Sequence, residues 1–128
     1  MGTKFKITTY LPATPAQIYQ AWLNGKEHSK MTGGKASGTP ETGAKFSAWD
    51  GYISGRNLEL IPDKKIVQAW RTTEFNENDQ DSRLEIQLNA KDTGCELILL
   101  HSEIPDNQPD YESGWEEHYF KPMRAYFE

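Results

Sequence analysis

The chain has 128 residues, a single cysteine (Cys95), and fourteen Lys and Arg against nineteen Asp and Glu, for a formal charge of −5. That length suits one domain over 1–128, which buries about two thirds of its unfolded surface without covalent staples. The lone thiol excludes an intrachain disulfide and points to the cytoplasm, and the acidic balance speaks against nucleic acid or anionic lipid as partners. The mean hydropathy is −0.79, but fifteen aromatic residues, four of them Trp, supply large apolar area for a folded core. No apolar run is long enough to span a bilayer, the start lacks the hydrophobic stretch of a secretion signal, and Lys6 stands where a myristoylation pattern needs Ser or Thr. The expectation is an unanchored protein with no membrane partner.

Residues 5–11 are β-branched and aromatic and predict a strand ended by Pro12. A helix follows, with Thr14 as N-cap, Pro15 at its first position and Gln17 completing a capping box. Ile18, Ala21 and Trp22 form its apolar stripe, and Gly25 is expected at the C′ position. Residues 26–31 predict one more helical turn. Four glycines and Pro40 make 32–43 a loop.

Asp50-Gly51, between 45–49 and 52–56, is the strongest hairpin signal in the chain, because this pair accepts the positive φ angles of a type I′ turn. In that register Phe46 and Ile53 share one face, and Trp49 and Tyr52 the other. A bulge near Gly55 is expected to bring Leu58 and Leu60 to the side of Ile53. Pro62-Asp63 turns the chain into a strand at 65–73, and a polar loop at 74–81 leads to another at 83–90. There Leu84, Ile86 and Leu88 alternate with Arg83, Glu85 and Gln87, the pattern of one buried and one wet face. In the strand at 95–104, Leu97, Leu99 and His101 share one parity and Ile98 and Leu100 the other, so both faces are expected to be covered.

At the end of the chain Tyr111, Trp115, Tyr119, Met123 and Tyr126 recur at helical spacing. Asp110 is the predicted N-cap, and Pro122 leaves the His118 carbonyl without a partner, which predicts a kink or loosened turn. A sheet with one apolar face needs a lid, and only this helix is long enough to provide it. The predicted class is α+β, a curved antiparallel sheet gripping the C-terminal helix.

Phe46 followed by Asp50-Gly51, Ile53-Ser54-Gly55, Leu58-Glu59-Leu60-Ile61-Pro62, Ile66-Val67-Gln68-Ala69-Trp70-Arg71, Leu99-Leu100-His101-Ser102 and Gly114-Trp115 carry a family resemblance. The segment from Lys4 to Phe127 resembles the homologues of the activator of Hsp90 ATPase, a branch of the START-like superfamily with a helix-grip fold of the Bet v 1 type. The resemblance implies six or seven strands around the last helix and an apolar cavity between them. It also implies a connection with an Hsp90-type chaperone, although the separate N-terminal domain that makes much of the co-chaperone's contact is not supplied by these residues.

The resulting candidate site is a cavity lined by Trp22, Phe46, Ile53, Trp70, Leu84, Ile86, Leu99, His101, Trp115, Tyr119 and Met123, holding a small apolar or amphipathic molecule. The alternative is that these side chains simply fill the core. His101 either meets a polar ligand group or is a core histidine bonded to Tyr or backbone. Three functional readings follow: a non-catalytic binding module, an interaction protein that modulates an Hsp90-type ATPase, and an enzyme using His101 and Tyr119 for proton transfer in a cyclisation or hydration.

Other chemistries lack their residues. His28, His101 and His118 are widely separated and one cysteine builds no thiolate site, so no metal or other cofactor is expected. Glu116, Glu117 and His118 are expected to face water. Gly33-Gly34-Lys35-Ala36 lacks the phosphate-loop spacing, residues 76–81 lack the glycine and distal Glu of a calcium loop, and no Gly-x-Ser-x-Gly nucleophile elbow occurs.

Overall fold

A computed structural model describes residues 3–128. Six strands, β1 (Thr3–Leu11), β2 (Lys45–Ala48), β3 (Ile53–Ile61), β4 (Lys65–Thr72), β5 (Ser82–Lys91) and β6 (Gly94–Ile104), form one antiparallel sheet in the order β1-β6-β5-β4-β3-β2. Helices α1 (Pro15–Leu23) and α2 (Gly25–Thr32) follow β1. Residues 111–127 form the closing helix in three parts: α3 (Tyr111–Trp115), a π-helical turn (Glu116–Phe120) and α4 (Lys121–Phe127). This is the helix-grip arrangement that the sequence predicts.

Alternation in the strands sets the inner face. Leu84, Ile86 and Leu88 of β5 stand opposite His101, Leu99 and Leu97 of β6, and all six are buried. Phe5 and Ile7 of β1 continue the rows opposite His101 and Leu99. On the outer face Ile98 and Leu100 are only half-buried. The expectation that both faces of β6 are covered is corrected here. Thr8, Lys6, Gln87 and Glu85, in register beside these residues, shield them in part with their own side chains.

The β2–β3 hairpin has the predicted register, with Phe46 opposite Gly55 and Ala48 opposite Ile53. Asp50 and Gly51 have φ of 57° and 90°, and the Tyr52 N–H donates to the Trp49 carbonyl at 3.2 Å, as a type I′ turn requires. Trp49 departs from the expected parity: its own φ of 52° takes it out of strand alternation and turns the ring towards the closing helix. The bulge lies between Asn57 and Glu59 and not at Gly55. It leaves Leu58 as the extra, exposed residue and returns Leu60 to the core.

Helix α1 starts with the full capping box. Thr14 Oγ1 accepts from the Gln17 N–H at 3.2 Å, and Gln17 Oε1 accepts from the Thr14 N–H at 2.8 Å, a pairing that contributes about 1 kcal/mol. Gly25 is the first residue of α2 and not the end cap of α1. Asn24 does both jobs: its N–H donates to the Gln20 carbonyl, and its Oδ1 accepts from the Glu27 N–H.

In a straight α-helix each four-residue step over-rotates by about 40°, so a stripe at fours would wind off the sheet. The π-helical turn corrects this, with the Lys121 N–H reaching back to the Glu116 carbonyl. Pro122 is its cause, since it withholds the N–H that the His118 carbonyl needs in an α-helix. Tyr111, Trp115, Tyr119 and Met123 are therefore all buried against the sheet. Tyr126, expected on the same stripe, is exposed, and its hydroxyl donates to Glu27 at 3.3 Å.

Candidate functional site

Under the closing helix, rings and aliphatic side chains interdigitate almost completely. Trp115 lies between Trp22, Trp70 and Tyr119, with centroid distances of 6.0, 5.5 and 4.9 Å. Beside this cluster the enclosed space is about 10 Å³, bordered by Trp22, Phe46, Gln68 and Tyr119 among others. That is at the limit for a single water molecule.

Room for a ligand opens at one end of the helix. A pocket of about 390 Å³ lies between the β2–β3 turn and the first turns of the closing helix, a volume suited to a small organic molecule. Its walls are Trp49, Tyr52, Ile53, Trp70, Pro109, Asp110, Tyr111, Gly114, Trp115, His118 and Tyr119. Of the eleven residues singled out from the sequence, the structure brings Ile53, Trp70, Trp115 and Tyr119 to this pocket. Trp22, Leu84, Ile86, Leu99, His101 and Met123 are buried in the core, and Phe46 packs at its margin. Trp49 reaches the pocket because Gly34 has no side chain. A Cβ there would drive into the indole ring.

The hydroxyls of the wall residues Tyr119 and Tyr111 are tied inward. The His28 Nδ1–H donates to the Trp22 carbonyl at 2.8 Å, which leaves Nε2 to accept from the Tyr119 hydroxyl at 2.9 Å. Burial lowers the pKa of His28 and raises that of Tyr119, so both stay neutral and the direction of this bond is fixed. Tyr111 donates its hydroxyl to Gln108 Oε1 at 2.7 Å and receives the Thr72 hydroxyl at 2.6 Å. Burial pushes the Tyr111 phenol up to about 12.

His101 is enclosed. The Trp115 indole N–H donates to its Nδ1 at 3.1 Å, so Nε2 carries the hydrogen and donates to Ser82 Oγ at 2.9 Å. The Ser82 hydroxyl in turn donates to the Trp70 carbonyl at 2.6 Å. Burial drives the His101 pKa down to about 3. Both ring nitrogens are engaged away from the pocket, so the geometry gives His101 the core-histidine role of the two readings, with Trp and Ser as partners.

Comparison with known proteins gives this architecture a lineage. The model of the family described as activator of Hsp90 ATPase homolog 1-like protein matches residues 12–128. The chain belongs to this family. The human activator of 90 kDa heat shock protein ATPase homolog 1 is 25% identical over 115 residues, covering 89% of this chain and 34% of the relative. The Dictyostelium discoideum homolog is 26% identical over 124 residues, covering 95% and 32%. The chain therefore spans about a third of the length of the curated relatives it matches. An HSP90 activator from Plasmodium falciparum superposes with a TM-score of 0.86 at 24% identity, covering 96% of this chain and 94% of that one. Ara h 8.0201 superposes with a TM-score of 0.75 at 15% identity, covering 99% and 98%. At these identities the structural likeness concerns the fold alone.

Among the described residues, an aromatic-walled pocket thus lies at the end of the grip, while the side chains under its centre are packed together. Sequence reasoning missed Trp49, Tyr52, Pro109, Asp110, Tyr111, Gly114 and His118 as wall residues. The hairpin signal at Asp50-Gly51 was the available clue, since it places two aromatics at the lip of the sheet. Among the described residues no group of three or more His, Cys, Asp or Glu is arranged to hold a metal ion, and no helix is long and apolar enough to cross a membrane.

Proposed function

We propose that this chain acts as a single START-like domain, 1–128, that holds a small, largely apolar molecule in the pocket between the β2–β3 turn and the closing helix. The observation that carries this reading is the pocket itself: about 390 Å³ walled mainly by aromatic faces. Ile53, Trp70, Trp115 and Tyr119 are buried and Trp49 and Tyr52 half-buried, so a ligand there would cover the apolar edges that remain open. Trp49, Tyr52, Ile53, Trp70, Trp115 and Tyr119 supply the contacts. Native mass spectrometry after gentle purification tests this. The expected result is an added small-molecule mass on the wild type that is absent from Gly114→Leu, whose new side chain occupies the pocket. A bare protein mass for both, with no uptake of added aromatic probes, contradicts it.

Family membership favours a second reading, in which the domain binds an Hsp90-type chaperone and changes its ATPase rate. Its test is the ATPase rate of a purified Hsp90-type chaperone with and without this chain. A raised rate supports the reading, and no change together with no binding ends it.

A further inference from the structure

We propose that the pocket selects an amphipathic organic cation, an ammonium group carried on an aromatic or apolar body. This rests on the pocket being a ligand site and adds the charge of the ligand.

The first ground is the chemistry of the walls. No Lys or Arg lines the pocket, and the one basic wall residue, His118, stands edge-on to Trp49 with ring centroids 5.7 Å apart, so a carboxylate or phosphate would find no permanent cation. Three of the wall donors are already used: Tyr119 donates to His28, Tyr111 to Gln108 and the Trp115 indole to His101. What remains towards the ligand is largely ring face, and the negative face of an aromatic ring attracts ammonium.

The second ground is the distribution of charge along the chain. Segments 74–81 and 103–117 contain ten of the nineteen acidic residues and no Lys or Arg, while the rest of the chain carries all fourteen basic residues against nine acidic ones. The fold joins these two segments beside the pocket. Gln108 Nε2 donates to the Glu74 carbonyl at 3.1 Å, Asp110 lines the opening, and the hydroxyl of the wall residue Tyr52 donates to Glu74 at 3.4 Å. Three of the ten carboxylates are neutralised, Asp81 by Arg71, Glu116 by Arg124 and Glu117 by Lys121. The other seven have no ion-pair partner among the described residues. Of the seven, Glu74 and Asp110 stand at the pocket, while Asp79, Glu103 and Asp106 border a separate cleft; an apolar pocket with a negative mouth attracts cations from solution and repels fatty acids.

Three probes of similar length separate charge from burial: phenylbutylamine, phenylbutanol and phenylbutyrate, each titrated by calorimetry into the full chain at pH 7. The expected result is that the amine binds about tenfold more tightly than the alcohol at low ionic strength, with the carboxylate weakest. This advantage shrinks as salt is raised to about 1 M, where screening acts within a few ångströms. The variant Glu74→Gln, whose amide oxygen can still accept from Tyr52, is expected to cut the amine's advantage over the alcohol severalfold; an unchanged advantage would contradict the charge selection. If the alcohol or the carboxylate binds as tightly as the amine, the charge selection is wrong while the pocket reading stands. If none of the three binds, both fall.

Discussion

The Tyr119 hydroxyl donates to Nε2 of His28 at 2.9 Å, joining the wall of the pocket to a buried histidine on α2. Because Nδ1 of the same ring is committed to the Trp22 carbonyl, this hydroxyl is the donor that Nε2 depends on. Tyr119→Phe keeps the ring and removes the donor, leaving a buried acceptor unsatisfied at a cost of about 1–3 kcal/mol. Urea unfolding is expected to show a lower midpoint with an unchanged slope. A loss near zero would mean that His28 finds water in place of the phenol.

Two buried histidines make stability depend on pH. The folded pKa of His101 is about 3, below the ordinary 6.5, and burial lowers that of His28 as well. The unfolded chain therefore takes up protons that the fold refuses, so stability is whole above pH 6.5 and declines as pH falls from there towards 3. The slope is at most about 1.4 kcal/mol per pH unit for each histidine. Glu85 and Asp110, whose pKa values are lowered by hydrogen bonds, from 4.5 and 3.8, add their losses only below about pH 4.5. Denaturant melts between pH 7 and 5 thus report the histidines, and NMR of the His101 ring is expected to show no titration over that range.

Gly114 separates stability from binding. It lies in α3, lines the pocket, and a Cβ added there meets no atom within 4 Å. Gly114→Ala is expected to stabilise the fold by about 0.5–1 kcal/mol through helix propensity. Gly114→Leu is expected to melt no lower than the wild type while binding aromatic probes at least about tenfold more weakly. Equal probe affinity in Gly114→Leu would place binding elsewhere.

Much of the scaffold was legible because local rules and tertiary demands agree in it. Thr14 and Gln17 cap α1, Asp50-Gly51 turns the hairpin, Leu84, Ile86 and Leu88 face inward, and Pro122 loosens the closing helix. The site was harder to read for three physical reasons. Whether Trp22, Trp115 and Tyr119 leave a gap depends on rotamers and on the π-helical turn, neither of which has a periodic signature. Trp49 entered the pocket through a positive φ that breaks strand parity, and alternation cannot foresee that. Pro109, Asp110 and Tyr111 meet Tyr52 and Trp70 across the fold, a juxtaposition created by the order of the strands and absent from any local motif.

A ligand in the end pocket and a ligand in the core would touch different side chains. A heteronuclear NMR titration with naphthalenemethanol, following the indole N–H signals of the tryptophans and the methyl signals of the core, separates the two. The signals of Trp49, Trp70 and Trp115 are expected to shift together with Ile53, while Leu99, Ile86 and Met123 stay fixed. Shifts concentrated at Leu99, Ile86 and Met123, or none at saturating probe, would contradict binding in the end pocket.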